Sequence, residues 1–405
     1  MNNEEIKGNK DALLIGEGIA ESPEDSQAPP SKESSDALDE LSNEENKSAE
    51  EIKEEYLSRF RSYEERVIKN ERATVGGRIG NHTIKSGNKA SRFFKTLLLI
   101  ICSVAFVVSG FIIVERIVNY YETKNNDTQI KDLTLSDSDL PSIDPSTREF
   151  LRAMISKYPQ LEGVDFPPGF NYKYALLYAA NKDFVGYLKI PGTKINTAVL
   201  QHSDDDFYFD HDFYGKESKY GAVFASAKNN MVNLDQNTVL IGHHMKDGSR
   251  FHDLKYYRTQ EGYKKSPVIE FNTAYGDYKW KVYGAFIINA KPEDDNGYIL
   301  NCLFNNISLE SFEKYIAEID KRTLYKTGVD LLPFDKILTL MTCTYEFDDA
   351  RLVVIARMLR EGESAQVDLS LVTNKSSPIK YPQALYDKRG KTSPYANDEK
   401  WYPEQ

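Results

Sequence analysis

The sequence predicts a mainly β protein of the α+β class, in which a closed eight-stranded barrel with accompanying helices is carried on one membrane-spanning helix. Two observations predict it. A single uncharged apolar run occupies residues 96–114, and a series of short apolar runs bounded by Gly, Pro, Asn or Asp follows it. Those runs are FVGYLKI, INTAVLQ, GAVFAS, TVLIGH, VIEFN, YKWKVYGAFIINA, KILTLMTC and RLVVIARML. At eight strands a small barrel closes with side chains filling its interior and leaves no exposed sheet edge.

Composition excludes several classes of function. The 405 residues carry a formal net charge of -11, with no Lys/Arg-rich stripe interleaved with aromatics, so we expect no nucleic-acid partner. Three cysteines, at Cys102, Cys302 and Cys343, are too few and too widely spaced for a disulfide framework or a CxxC metal site. The sequence therefore predicts no metal and no cofactor, and any cysteine that acts does so alone.

The N-terminal part has two segments. Residues 1–48 are rich in Ser, Glu, Asp, Asn and Pro and are expected to form a disordered acidic cytoplasmic tail. Residues 49–95 are expected to form a juxtamembrane helix and a basic flank, because apolar residues recur there at helical spacing. Those residues are Ile52, Tyr56, Phe60, Tyr63 and Val67. This helix could dock a cytosolic partner or form a coiled coil. Its row of apolar residues is short, however, and a solvated juxtamembrane helix explains it.

Residues 96–114 predict a transmembrane helix, since 19 residues at about 1.5 Å each span a hydrocarbon core of roughly 30 Å. Basic residues crowd its N-terminal side, which favours a cytoplasmic N-terminus and an extracellular C-terminal domain. They are Lys85, Lys89, Arg92 and Lys95. A cleaved signal peptide is the competing interpretation, but the run begins deep in the chain and no small-x-small site follows it. We expect a single-pass type II anchor, with Cys102 inert inside it.

A polar linker is expected over residues 115–144, followed by an outer domain over 145–385 and a C-terminal tail over 386–405. The spacing of Ser146 and Glu149 predicts a capping box at the first helix of the outer domain. A second helix, capped by Ser308, is predicted between strands six and seven. Its apolar face would comprise Leu309, Phe312, Ile316 and Ile319.

The chemistry concentrates in the last predicted hairpin. TLMTC ends one strand at Cys343, the loop TYEFDDA follows, and Arg351 opens the next strand. A thiol attacks an amide carbonyl as thiolate, and the oxyanion that forms needs a cationic or hydrogen-bonding group nearby. Cys343 and Arg351 suit these two roles. The loop carboxylates Glu346, Asp348 and Asp349 are expected to be solvated.

Proton transfer to a leaving amine needs a group that titrates near neutrality, which directs attention to the six histidines. His243 and His244 stand out because they follow the buried-looking run TVLIG, where a barrel rim would expose an imidazole. Spacing alone does not choose between them. The Asp-rich segment at 202–212 could ligate calcium or zinc, but it lacks the turn Gly and terminal Glu of an EF-hand, so a polar loop is expected. Cys302 is expected to be a buried structural thiol.

Two segments resemble a known family. GHHM at 242–245, followed by KDGSRF, and TLMTCTYEFDDAR at 339–351 are similar to the motifs of class B sortases. That family has a GHxM-type histidine motif, a TLxTC cysteine motif and an Arg opening the last strand, so the resemblance implies His243, Cys343 and Arg351 as the catalytic residues. It covers the chain from about residue 178 to 364. Departures include IGH for YGH, TAV for a YPV-like sequence, Arg250 for Met and the long acidic tail, which suggests a regulatory or localising contact.

The resemblance implies a sortase-type barrel and a ping-pong transpeptidase. Such an enzyme cleaves an NPxTx-like sorting motif after Thr through a Cys thioester and transfers the surface protein to an amine of the peptidoglycan cross-bridge. A pilin-polymerising sortase and a catalytically silent membrane-anchored peptide-binding module are the alternatives. Papain-like and L,D-transpeptidase enzymes are disfavoured, because neither a CGSCW nor an SHGC motif is present and the histidine precedes the cysteine.

Overall fold

The structure is a computed structural model that describes residues 89–291 and 300–398. Everything below lies in the compact unit Phe94–Gln405, apart from the first turn of the first helix. The predicted acidic tail, 1–48, and most of the predicted juxtamembrane segment, 49–95, lie outside the described residues.

The first helix, α1, spans Lys89–Asp132 and contains the predicted apolar run. From Phe93 it is 40 residues long, and its most apolar stretch of 18 residues has a mean hydropathy of 3.0 and is not buried by the protein, which fits a membrane anchor. The helix ends later than expected, because no Gly or Pro interrupts residues 115–132. Ile130 and Leu135 are buried against the barrel domain. The predicted linker at 115–144 is therefore helical as far as Asp132, and its second half packs against the barrel domain.

The barrel strands have the following bounds: β1 Phe184–Lys189, β2 Asn196–Leu200, β3 Phe224–Ala225, β4 Asn237–Ile241, β5 Val268–Thr273, β6 Lys279–Asn289, β7 Ile337–Cys343 and β8 Ala350–Met358. They close in the order β1-β2-β3-β4-β7-β8-β6-β5. The pairs β2–β3 and β4–β7 are parallel, and the other neighbours are antiparallel. All eight predicted runs contribute a strand, so the predicted closed barrel is confirmed, although the third run keeps only two paired residues.

The remaining helices are α2 Arg148–Lys157, α3 Ala175–Ala180, α4 Gln260–Lys265, α5 Leu309–Arg322 and α6 Gln383–Lys388. Short 3-10 segments lie at Asp137–Asp139, Pro159–Leu161, Tyr172–Tyr174, Phe207–Phe209, His252–Arg258 and Leu369–Leu371. At α2 the cap is Thr147, whose hydroxyl accepts from the Phe150 amide, so the predicted capping box at Ser146 is wrong by one residue. Ser146 instead bonds Asp144 in the preceding turn.

The predicted helix between strands six and seven is α5, and its predicted cap is correct: the Ser308 hydroxyl accepts from the Ser311 amide. Its buried face includes Phe312, Tyr315 and Ile319, whereas Leu309 is 60% exposed. The predicted face was therefore correct except at Leu309, which lies in the first turn of the helix. The buried side chains of α5 pack against the outer face of β6, β7 and β8 and form an apolar layer that we call the α5 cluster. Its buried members are Phe286, Ile288, Leu300, Cys302, Phe304, Phe312, Tyr315, Ile319, Leu331, Ile337, Met341, Val353 and Ile355.

The C-terminal segment is also packed. Helix α6 crosses the boundary expected at residue 385, and the chain continues over the domain surface. The Tyr395 hydroxyl donates to the Pro378 carbonyl over 2.6 Å, and Asp398 pairs with Lys380 at 3.0 Å. The described part of the predicted C-terminal tail, 386–398, therefore packs on the domain surface.

Candidate active site

The site begins with a pair of residues that face each other across two strands. In the antiparallel β7–β8 ladder Cys343 is paired directly with Arg351. Residues opposite each other in such a ladder have Cβ atoms about 5 Å apart, within easy reach of an Arg side chain. The predicted proximity of these two residues is present in the structure.

Both side chains lie on the outer face of the barrel. Met341 of β7 and Val353 of β8 belong to the α5 cluster, outside the sheet, whereas Leu340 and Leu352 fill the barrel interior. Side chains alternate along a strand, so residues two positions away share a face. Cys343 lies two residues after Met341, and Arg351 lies two residues before Val353. Both side chains therefore lie on the outer face of the barrel, next to the α5 cluster.

The neighbouring strand brings a histidine to the same face. β4 runs parallel to β7 with Ile241 paired to Met341, and the Gly242 amide still donates to the Met341 carbonyl over 3.2 Å. His243 follows two residues after Ile241, just beyond the end of β4, and Cys343 follows two residues after Met341 at the end of β7. Because Ile241 packs against the α5 cluster, His243 has the outward parity and His244 the opposite one.

The His243 ring is held from the loop before β3. Its Nε2 lies 2.7 Å from the Phe209 carbonyl oxygen, and its ring centroid lies 5.5 Å from that of Phe209. A carbonyl oxygen can only accept, so Nε2 carries the hydrogen there. The Phe209 carbonyl thus orients the ring as the third group of a catalytic triad does. Among the described residues no hydrogen bond joins His243 to the Cys343 thiol, and in substrate-free sites such bonds are often long.

His244 has different surroundings. Its Nδ1 lies 3.0 Å from the Cys343 carbonyl oxygen, and its ring lies edge-on to His252 with centroids 4.9 Å apart. The Tyr345 hydroxyl donates to the His244 carbonyl. Burial lowers the pKa of His244, which favours the neutral ring. This histidine supports the backbone behind the thiol.

The guanidinium of Arg351 is partly exposed beside the loop that joins β7 and β8. Its Nη1 donates to the Ala350 carbonyl over 3.2 Å, and its Nη2 lies 3.8 Å from Asp349. Asp349 is paired more closely with Lys291, at 2.7 Å, and this pairing lowers the pKa of the Asp349 carboxyl. Arg351 therefore keeps donors that a substrate carbonyl can use.

The expectation that the loop carboxylate Glu346 is solvated is wrong. The side chain of Glu346 is only 9% exposed and lies 2.6 Å from Arg258. Lys388 of α6 donates to the Glu346 carbonyl over 2.7 Å. The C-terminal segment therefore fastens the loop after the cysteine, and its Glu is paired rather than solvated.

The other candidate side chains, Cys302 and the Asp-rich carboxylates, have structural partners of their own. Cys302 is buried in the α5 cluster, as predicted, and burial raises the pKa of its thiol to about 11. In the Asp-rich segment, Asp205 accepts from the Ala227 amide and Asp212 from two loop amides, so these carboxylates organise turns. Within residues 89–291 and 300–398, no group of three His, Cys, Asp or Glu side chains could hold a metal ion.

Sequence reasoning missed the groups that hold His243. The Phe209 acceptor is a backbone carbonyl, which every residue has, so its type gives no signal. Gly221, which lies against both the His243 ring and that carbonyl, gave none either. Arg250 did give a signal, because it replaces the Met that is frequent at that position in the family.

Comparisons with known proteins identify relatives of this chain. A family model described as the Sortase domain matches residues 188–359, which include His243, Cys343 and Arg351. The chain is 31% identical to sortase B of Staphylococcus aureus over 190 residues, which are 46% of this chain and 75% of that protein. It is 26% identical to sortase B of Listeria monocytogenes over 270 residues, 65% of this chain and 96% of that one. The crystal structure of sortase B from Clostridium perfringens, 31% identical, aligns with 45% of this chain and 98% of its own, with a TM-score of 0.41.

Proposed function

This chain belongs to the class B sortases and is a cysteine transpeptidase, and we propose that Cys343 is its nucleophile, His243 its general acid and base, and Arg351 its oxyanion-stabilising group. The observation that supports this most is strand register: Cys343 is paired with Arg351, and Ile241, two residues before His243, is paired with Met341, two residues before Cys343.

The first half-reaction is the attack of the Cys343 thiolate on the carbonyl carbon of Thr in a sorting motif. The oxyanion of the tetrahedral intermediate forms beside Arg351, whose permanent charge and several donors stabilise it. The C–N bond after Thr then breaks. His243 gives a proton to the departing amine, and a thioester between Thr and Cys343 remains.

The second half-reaction reverses the roles. An acceptor amine attacks the thioester carbonyl, and His243 takes its proton. The intermediate collapses to an amide and releases the Cys343 thiolate. We propose an NPxTx-like sorting motif as donor and an amine of the peptidoglycan cross-bridge as acceptor, because these are what membership of class B implies.

The orientation of the anchor follows the same reasoning. Lys85, Lys89, Arg92 and Lys95 precede the apolar run, whereas the residues after it soon turn mixed and then acidic. We propose a single-pass type II arrangement, with the N-terminus cytoplasmic and the barrel extracellular, where cross-bridge amines are found.

The test is mass spectrometry of the full-length protein in detergent, incubated with NPQTN and LPxTG peptides and an oligoglycine amine. Wild type is expected to cleave one peptide after Thr and to join the new carboxyl end to oligoglycine. The Cys343→Ala variant is expected to yield neither product. Cys302→Ala is the matched control, since it removes a thiol that is buried away from the proposed site.

Each result bears on the proposal. A thioester adduct of the peptide mass on Cys343, found when the amine is omitted, would support the mechanism directly. Cleavage that persists in Cys343→Ala would overturn the assignment of the nucleophile. Absence of product from wild type across a library of sorting peptides and amines would overturn the proposed substrates in favour of a binding module.

A further inference from the structure

The C-terminal end of α1, beyond the apolar run, is joined to the loop that follows His243. Asp127 of α1 accepts from Arg250 Nη1 over 2.7 Å. The Arg250 side chain is 7% exposed and that of Asp127 is 27% exposed, so the pair is largely withdrawn from water. Thr123, one turn earlier on α1, is buried, and Asn126 donates to Asp212 in the loop before β3. The end of the anchor is therefore fixed to the barrel at this point.

Arg250 is itself held firmly next to the histidines. It is paired in a bridge with His244, and the Phe251 amide donates to the His243 carbonyl over 2.9 Å. Its φ of 54° lies in the left-handed region, which a residue with a Cβ adopts only when its surroundings compensate. The compensation comes from the side chain, whose Nε donates to the Gly221 carbonyl over 2.8 Å while Nη1 binds Asp127.

Gly221 completes the connection to the ring. A Cβ added there would lie 2.6 Å from the Phe209 carbonyl oxygen and 3.1 Å from Cδ2 of His243. Gly221 therefore lies where a side chain would clash with the carbonyl that binds Nε2 and crowd the imidazole. Because Arg250 Nε bonds the Gly221 carbonyl, a change at Arg250 alters a backbone segment that lies beside His243.

We propose that Arg250 and Asp127 are positioning residues that fix the His243 ring relative to Cys343, so that the end of the membrane anchor is part of the catalytic arrangement. The inference rests on the proposed role of His243. Met, the residue frequent at this position in the resembling family, can neither pair with Asp127 nor bond the Gly221 carbonyl.

The physical consequence of losing the pair concerns geometry. Removing the Arg250 side chain leaves Asp127 partly buried without its cation and leaves the left-handed backbone uncompensated. The loop after β4 then relaxes, and the Gly221 carbonyl beside the ring loses its bond from Arg250. Displacements of about 1 Å at a catalytic group lower rates by up to about 10²-fold, while substrate binding elsewhere is little changed.

The experiment measures kcat and KM for transpeptidation by the full-length protein in detergent, with Arg250→Met, Asp127→Asn and the double variant. Arg250→Met is expected to lower kcat about tenfold with KM within roughly twofold of wild type. Asp127→Asn is expected to lower kcat about threefold, and the double variant to be no slower than Arg250→Met, since both changes act on one contact. Asp127→Glu, which keeps the charge, should restore most of the loss.

Lys281→Met is the matched control. It removes another largely buried ion pair, to Glu363 at 2.7 Å with Lys281 11% exposed, at the opposite end of β6 from the site. It is expected to lower the melting temperature without changing kcat. A merely structural role of Arg250 would give this same pattern and would overturn the inference.

The inference and the proposed function fail differently. Full activity of His243→Ala would refute the role of His243 itself. Loss of activity in His243→Ala, together with an unchanged kcat in both Arg250→Met and Asp127→Asn, would refute only the positioning role. If Arg250→Met does not fold, Asp127→Asn decides, because its side chain is more exposed and Asn preserves the volume. Rate losses that multiply in the double variant would also count against a shared contact.

Discussion

The two halves of the site are held by different kinds of interaction. Cys343 and Arg351 lie within regular strands, and continuous backbone pairing of β7 with β8 fixes their separation. His243 lies beyond the last residue of β4, and its ring is fixed by the Phe209 carbonyl, the Gly221 backbone and a loop tied to α1. The separation of thiol and guanidinium is therefore a property of the barrel, whereas the position of the imidazole depends on loops.

This contrast has a mechanistic consequence. A strand ladder resists local change, because shifting one pair disturbs every pair along it. Loop contacts open at lower free energy and can adjust when substrate arrives. We infer that substrate binding, where it changes the site, changes the histidine side rather than the cysteine–arginine side.

The largest expected effect separates the two adjacent histidines. His243→Ala should lower kcat/KM by about 10²–10⁴-fold, the usual contribution of a general acid or base. His244→Ala should cost no more than about fivefold, because it removes one ordinary hydrogen bond, to the Cys343 carbonyl, of about 1 kcal/mol. Steady-state transpeptidation with both substrates varied measures the two values.

A larger loss in His244→Ala than in His243→Ala would overturn the strand-parity argument. Circular dichroism and melting curves serve as the control for folding.

The next largest effect concerns Arg351, in the half of the site that the paired strands β7 and β8 hold. Arg351→Ala should lower kcat by about 10²–10³-fold, as the loss of an oxyanion donor does. Arg351→Lys should still lose about tenfold or more, because an ammonium cannot reproduce the planar set of donors. The matched control is Arg360→Lys, just beyond the far end of β8, where the side chain pairs with Asp335. Its kcat should not change, and equal losses in the two lysine variants would refute a specific role for Arg351.

A smaller effect tests the junction between the halves. The Thr342 hydroxyl donates to the Gly242 carbonyl over 2.7 Å, joining β7 to the residue before His243. Thr342→Val should lower the free energy of unfolding by about 1–2 kcal/mol, since a buried carbonyl loses a donor. Thr238→Val on β4 is the matched control: its buried hydroxyl has no partner among the described residues, so stability should stay the same or rise. Urea unfolding of both variants measures the difference.

Sequence patterning predicted the barrel well for a physical reason. Alternating and continuous apolar runs are what burial on one or both faces of a sheet requires, so eight runs became eight strands. The same reasoning placed Cys343 beside Arg351, because a hairpin fixes its own register. It did not distinguish His243 from His244, because that choice depends on which residue of β4 pairs with Met341, a contact between segments 100 residues apart.

What patterning could not predict depends on side chains and backbone that meet only in the folded chain. The sequence of residues 115–132 looks polar enough for a linker, yet the absence of Gly and Pro lets α1 continue until Ile130 is buried against the barrel domain. Glu346 looks like a solvated loop carboxylate, yet Arg258 covers it. In each case a single tertiary contact overrode the local preference.

The smallest expected effect is a pH dependence of stability that belongs to the supporting histidine. Burial lowers the pKa of His244 below its ordinary value of 6.5, and the nearby His252 and Lys255 act in the same direction. Below about pH 6.5 the unfolded chain therefore binds a proton that the folded protein takes up less readily, so acidification favours unfolding. His244→Gln removes this difference in proton uptake between the unfolded and the folded chain, while keeping a group that can donate to the Cys343 carbonyl. Urea unfolding between pH 7.5 and 5 should show a smaller loss of stability for the variant than for wild type. Identical losses would mean that His244 is solvated and free to protonate, in which case it would be a second candidate for the proton transfer assigned to His243.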